Sequence, residues 1–222
     1  MTVDRSVLVR AMPFLFILSW ASGFPITRLG LEYSEPFTLL WVRSALVVAL
    51  VGTYVLIVRA PWPNLKEIAH IAVVGVTLQC LYLGSMFSAL DGGVSQGVAA
   101  LIAGMQPLLT AAVVGITLGE KVTPLQWAGF ALGFAGLFIV LSDRLGIGAG
   151  TLDGYIFAGL TPVFITAASL YQKRFCANSD LRIVMVVQQT AAGFCNFCIA
   201  MAIETGEIEW SSEVVFVWIW LG

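Results

Sequence analysis

Charge is what this sequence has least of. Asp, Glu, Lys and Arg together make up 11% of the 222 residues, against about 25% in soluble domains. A soluble fold of this length needs more polar surface than that. Disorder is excluded as well, because disordered chains are poor in apolar residues and rich in charge, whereas 59% of this chain is hydrophobic. There is one histidine, so neither a Ser/His/Asp set nor a zinc centre can be assembled around it. No phosphate-loop Lys-Ser/Thr pattern occurs, which argues against ATP as a motor. Four cysteines do not make a secreted disulfide framework. The formal net charge of −2 leaves no basic tail for nucleic acid. These absences leave an all-α integral membrane protein, with no cofactor, no metal and no catalytic residues expected.

What is present is a series of long apolar runs. A helix needs about 20 apolar residues to cross about 30 Å of hydrocarbon. Seven runs meet that need: Ala11–Leu29, Phe37–Val58, Ile68–Leu90, Val94–Leu118, Leu125–Leu141, Gly154–Gln172 and Ile183–Ile203. An eighth starts at Val214 and reaches Gly222. The runs are continuous rather than alternating, so helices are expected instead of barrel strands. Ser34-Glu35-Pro36 and Thr123-Pro124 read as helix starts, Asp153 as a possible cap, and Asp91-Gly92-Gly93 as a tight turn. The glycine-rich Gly146–Gly150 stretch follows no strand, so it reads as a loop and not as a dinucleotide site.

The few charges orient the chain. With the N-terminus inside, eight basic residues fall on that side (Arg5, Arg10, Arg59, Lys66, Lys121, Lys173, Arg174 and Arg182), and only Arg28 and Arg144 fall outside. Lys and Arg favour the cytoplasmic side. The expectation is a multi-pass protein of a bacterial inner membrane with a cytoplasmic N-terminus. Helix one resembles a signal peptide only superficially, since further spans follow it.

An internal echo is visible. Ala21-Ser22 recurs as Ala168-Ser169 at an offset of 147 residues, and the same offset sets Phe37–Arg43 on Val184–Thr190. Five helices separate the copies. An odd number inverts the second copy, which predicts an inverted repeat of the kind used for alternating access. On this reading residues 1–145 are a first five-helix repeat, and 146–222 are the incomplete start of a second. Seven helices and part of an eighth are then expected here, within a ten-helix whole.

Arg43 is the only charge placed inside a span, about 10 Å from the outer boundary. Intramembrane charge is expensive and marks substrate or ion pathways. Snorkelling, or pairing with a helix end, is the structural alternative. Gln106-Pro107 predicts a mid-helix break that either lines a cavity or simply bends the helix. Gln79, Tyr82 and Ser85 fall on one helical face. With Trp20, Ser22, Gln188 and Gln189 they either line a path or hold helices together. Gly129, Gly133 and Gly136 form a small-residue face for packing within the fold, with a homodimer as the alternative. Cys195 and Cys198 read as packing residues and His70 as structural. No carboxylate falls at mid-membrane, since Asp91, Glu120, Asp153 and Glu204 all lie at span ends.

The chain resembles the drug/metabolite transporter superfamily in its EamA-type branch. The resemblance lies in Trp20-Ala21-Ser22-Gly23-Phe24-Pro25, Arg28-Leu29-Gly30-Leu31 and Arg43. It continues in Gly97-Val98-Ala99-Ala100-Leu101-Ile102, Gln106-Pro107-Leu108-Leu109-Thr110, Leu118-Gly119-Glu120-Lys121 and Trp127-Ala128-Gly129 with Gly133 and Gly136. It implies ten helices in two inverted repeats around a central path, and a permease that effluxes amino acids, other metabolites or drugs. The expected partners are the lipid bilayer and a small organic solute. A non-transporting membrane assembly protein or inactive fragment is the alternative. A membrane-embedded enzyme is disfavoured, because clustered His, Asp or Glu at one depth is lacking.

Overall fold

The structure is a computed structural model and describes residues 5–117, 123–145 and 150–221. It is an all-α polytopic membrane protein. Helices α1 (Arg5–Gly30) and α2 (Pro36–Ile57) are followed by a continuous rod, Leu65–Asp91. The rod comprises α3 (Leu65–Gly75), a π-helical segment (Val76–Tyr82) and α4 (Leu83–Asp91). Then come α5 (Gln96–Ala103), α6 (Gln106–Thr117), α7 (Pro124–Leu145), α8 (Leu152–Phe175), α9 (Leu181–Ile203) and α10 (Ser212–Leu221). Among the described residues, five helical stretches are long and apolar enough to cross a membrane. Lys121, the Leu118–Lys121 motif, Gly222 and most of the Gly146–Gly150 loop lie outside the described residues.

The helix starts follow from local chemistry. At α7 the Thr123 hydroxyl accepts from the Gln126 amide at 3.3 Å, and the Gln126 side chain accepts from the Thr123 amide at 2.8 Å. This reciprocal box satisfies two amides that the helix itself leaves open. At α8 the cap is Thr151, whose hydroxyl accepts from Gly154 at 3.1 Å, and Asp153 sits inside the first turn instead. The turn at Asp91-Gly92-Gly93 needs its last glycine, which has φ +82°.

Prolines mark two different outcomes. Pro162 lies inside α8, which runs on through it. A proline has no amide for the carbonyl four residues back. Here the Thr161 hydroxyl donates to that carbonyl, Ala158 O, at 2.6 Å and keeps it satisfied in the span. Pro107 differs from expectation. The helix is not kinked at Gln106-Pro107 but ends at Ala103 and restarts at Gln106. Pro107 therefore sits in a first turn, where its missing amide costs nothing.

The bundle is organised around one antiparallel pair. α2 packs along α9 more extensively than any other two described helices pack, with the start of α2 beside the end of α9. Small residues permit close approach to α9 from two sides. Against α2, a Cβ on Gly193 would lie 2.9 Å from Ser44 Cβ, and against α3, a Cβ on Gly75 would lie 2.5 Å from Gln188 Cα. Buried apolar side chains fill two clusters. One centres on Leu39, Leu90 and Trp218, the other on Val55, Ile71 and Ile183. Much of the remaining apolar surface is exposed, including Leu50, Leu132 and Phe194, as lipid-facing helices require.

The ends of the bundle are stitched differently. At the end holding residues 30–36 and 204–213, Glu35 occupies the N-cap position of α2 without capping it. The Glu204 carboxylate does so from across the bundle, accepting from the Phe37 and Thr38 amides, both at 2.7 Å, and from the Thr38 hydroxyl at 2.8 Å. Glu35 in return accepts from the Thr205 and Gly206 amides at 2.8 and 3.1 Å. The two loops thus cap each other, and negative charge at a helix start is favourable. At the opposite end His70 stacks on Phe175, with centroids 4.6 Å apart and planes at 6°. Its Nδ1 lies 2.8 Å from the Tyr171 hydroxyl.

Candidate functional site: a cleft at Arg43

α1, α2, the π segment, α4 and α10 enclose a cleft of about 110 Å³. Trp20 and Phe24 line it from α1, in an edge-to-face pair 6.0 Å apart. Tyr82, Met86, Phe87 and Leu90 line it from the central rod, and Arg43 from α2. Arg43 is half-buried. Its Nε donates to the Leu221 carbonyl at 2.5 Å, and its Nη1 reaches Gln79 Oε1 at 3.5 Å. The guanidinium thus bonds the α10 backbone from the cleft wall.

The residues expected on a substrate path do not all meet. Trp20, Arg43 and Tyr82 share this cleft. Gln79 stands between it and a second cleft of about 290 Å³, which Gln188 and Gln189 also line. The common face expected for Gln79, Tyr82 and Ser85 assumed a 3.6-residue period, whereas Gln79 and Tyr82 lie in the wider π turn of Val76–Tyr82; Tyr82 lines the first cleft and Gln79 the second. The Gln79 carbonyl instead accepts from Asn196 Nδ2 at 3.4 Å. Gln188 Nε2 and Gln189 Oε1 are buried with no protein partner among the described residues.

Ser22 turns toward α10: its hydroxyl accepts from Trp220 Nε1 at 3.0 Å and donates to the Ser19 carbonyl at 2.8 Å. Gln106 starts α6 and donates to the Ser169 hydroxyl on α8 at 3.3 Å, while Pro107 beside it is exposed. Of the glycine face on α7, a Cβ on Gly133 would meet Leu108 at 2.9 Å, whereas Gly129 and Gly136 have open space. Packing within the described fold therefore rests on Gly133.

Reasoning from sequence missed Gly23, Thr27 and Met86 as cleft residues, since a small or apolar residue in an apolar helix carries no signal of which way it faces. It also missed the Glu35–Glu204 exchange, which joins residues about 170 positions apart. Among the described residues no group of three His, Cys, Asp or Glu could hold a metal, and the single ion pair is Arg182–Asp180. There the Arg182 guanidinium, then its backbone amide, hold the Asp180 carboxyl down to about 2.

A polytopic helical bundle with a cleft reaching a charge inside a span has the architecture of a membrane transport protein. Comparison with known proteins agrees. Residues 10–142 match the EamA-like transporter family, and the chain belongs to that family. It is 27% identical over 129 residues to the Escherichia coli K12 protein named uncharacterized inner membrane transporter YedA, covering 58% of this chain and 42% of the relative. It is 23% identical over 174 residues to the probable amino-acid metabolite efflux pump of the same organism, covering 78% and 56%. It is 28% identical over 190 residues to the uncharacterized transporter YvbV of Bacillus subtilis, covering 85% and 60%. The chain thus spans about half the length of these relatives.

Proposed function

We propose that the protein is a secondary transporter of an inner membrane that exports amino acids or other small metabolites by alternating access. Residues 1–145 serve as the first inverted repeat and 146–222 as the start of the second. The N-terminus lies on the cytoplasmic side, as the distribution of Lys and Arg favours. The cleft at Arg43 is the substrate path.

The observation that carries this reading is a charged side chain on the wall of a cleft within a span, in a chain of a transporter family. The antiparallel seam of α2 with α9 supports it, since these helices are repeat partners at the 147-residue offset and an inverted repeat pairs them in opposite senses. Nothing in the reading calls for an enzyme, a cofactor or ATP.

The test is efflux from cells expressing the full reading frame, loaded with amino acids and toxic analogues. Arg43→Ala lowers export about tenfold or more at unchanged membrane levels, because a charge-assisted contact is lost. Wild-type export by that variant would remove Arg43 from the path.

A further inference from the structure

Arg43 is a cation inside a span with only neutral acceptors among the described residues. A guanidinium carries five N–H donors. Two are directed at the Leu221 carbonyl and, at the limit of hydrogen-bond distance, at Gln79 Oε1. Among the described residues no carboxylate lies in ion-pair distance of it. A charge withdrawn from water without a counter-charge is costly. Its retention on a cleft wall therefore favours an anion as the occupant.

The rest of the wall narrows the class. Phe24, Met86, Phe87 and Leu90 are apolar, and only the Thr27 and Tyr82 hydroxyls and the indole N–H of the otherwise apolar Trp20 add polarity. Among the described residues no Asp or Glu lines the cleft. An ammonium group entering it would lose its hydration and gain no counter-charge. A zwitterion is thus penalised at the very site that attracts its carboxylate.

We propose that Arg43 is the anion-recognition point of the cleft, and that the substrate is a small organic monocarboxylate with an apolar body and no free ammonium group. Amino acids whose amino group is acylated or lost fall in this class. The proposal rests on reading the cleft as the transport path. The carboxylate engages the planar guanidinium fork, which lysine cannot reproduce, and the apolar body lies against Trp20 and Phe87.

The experiment uses the full chain in nanodiscs for binding and in proteoliposomes for transport. Three radiolabelled probes share one skeleton: 4-methylpentanoate, leucine (the same acid bearing an ammonium group) and 3-methylbutylamine. The wild type binds 4-methylpentanoate about tenfold or more tightly than the other two, a comparison that needs no variant. Arg43→Gln weakens that binding about tenfold or more, Arg43→Lys recovers it only in part, and Trp20→Ala weakens it less than Arg43→Gln does.

Equal or tighter binding of leucine or the amine overturns the proposal. So does undiminished binding of the acid by a folded Arg43→Gln, or failure of all three probes to bind. Arg43-dependent binding of the acid without movement across the vesicle membrane upholds the anion site and overturns the transport reading. Leucine transport at the wild-type rate by Arg43→Gln upholds transport and overturns the anion site.

Discussion

α2 presents two faces that the molecule treats in opposite ways. On one, it is sealed against α9, as α3 is beside it: Gly193 of α9 admits Ser44 of α2, Gly75 of α3 admits the backbone of Gln188, and Glu204 caps the start of α2. On the other, it carries Arg43 into an open cleft beside Gly23, where an added Cβ would have nothing within 4 Å. The difference teaches that glycine means different things within one bundle. In the seam it permits backbone contact, which is how helices associate where lipid competes for every apolar surface. At the cleft it simply leaves room.

The largest expected effect breaks the packing of α3 on α9, beside the seam. In Gly75→Ala the new methyl meets backbone atoms at 2.5 Å, so a helix must shift. Overpacking of this kind costs about 1–3 kcal/mol. Thermal unfolding in detergent should show a clear fall in midpoint. Gly23→Ala is the matched control, expected to be neutral or stabilising by up to about 1 kcal/mol, the helix-propensity difference. Equal losses in both would abolish the distinction between the faces.

Glu204→Ala comes next. It removes the acceptor of three hydrogen bonds and exposes the α2 start to lipid or loop. A cost of about 2 kcal/mol is expected, in the range for bonds to a charged group. Glu204→Gln retains an acceptor and should lose roughly half as much, which separates the charge from the geometry. Ser169→Ala removes only the 3.3 Å bond from Gln106, worth about 0.6 kcal/mol between membrane helices.

The smallest effect lies outside both faces. Asp180, the N-cap of α9, accepts from the Arg182 guanidinium and amide and is held down to about 2. A carboxyl whose folded value is depressed contributes stability above its unfolded value near 4, and that contribution is lost as pH falls through about 2. Because the pair is exposed, water and salt screen it. A melt of Asp180→Asn should match the wild type at low pH and differ only slightly at neutral pH.

Most of the helices were legible in the sequence. The start of α2 at Pro36 and the Thr123 cap of α7 needed only local chemistry, which a chain carries wherever it goes. The π segment was not legible. Val76–Tyr82 has the composition of any apolar helix, and its wider turn coincides with the close approach of Gln188 to Gly75, a contact between residues more than 100 positions apart. The break at Gly104-Met105 was placed two residues late for a similar reason. Pro107 announces a disturbance, but packing decides whether a helix runs on, as α8 does through Pro162, or stops. The cleft was half legible: Arg43 declared itself by its charge, Trp20 and Tyr82 by their polar atoms, while Phe87 and Leu90 were indistinguishable from lipid-facing neighbours.

By itself the sequence determined that this chain lives in a bilayer and which charge had to be explained. Those follow from one-dimensional quantities: the length of apolar runs, the positions of prolines and the cost of placing Arg43 in hydrocarbon. Tertiary structure alone decided which helices touch, that Glu35 and Glu204 exchange roles across the bundle, and that Gln79 lines a second cleft while Tyr82 lines the first. These depend on the relative rotation of packed helices, and a single helix, apolar on nearly all sides, does not encode which side will meet protein and which will meet lipid.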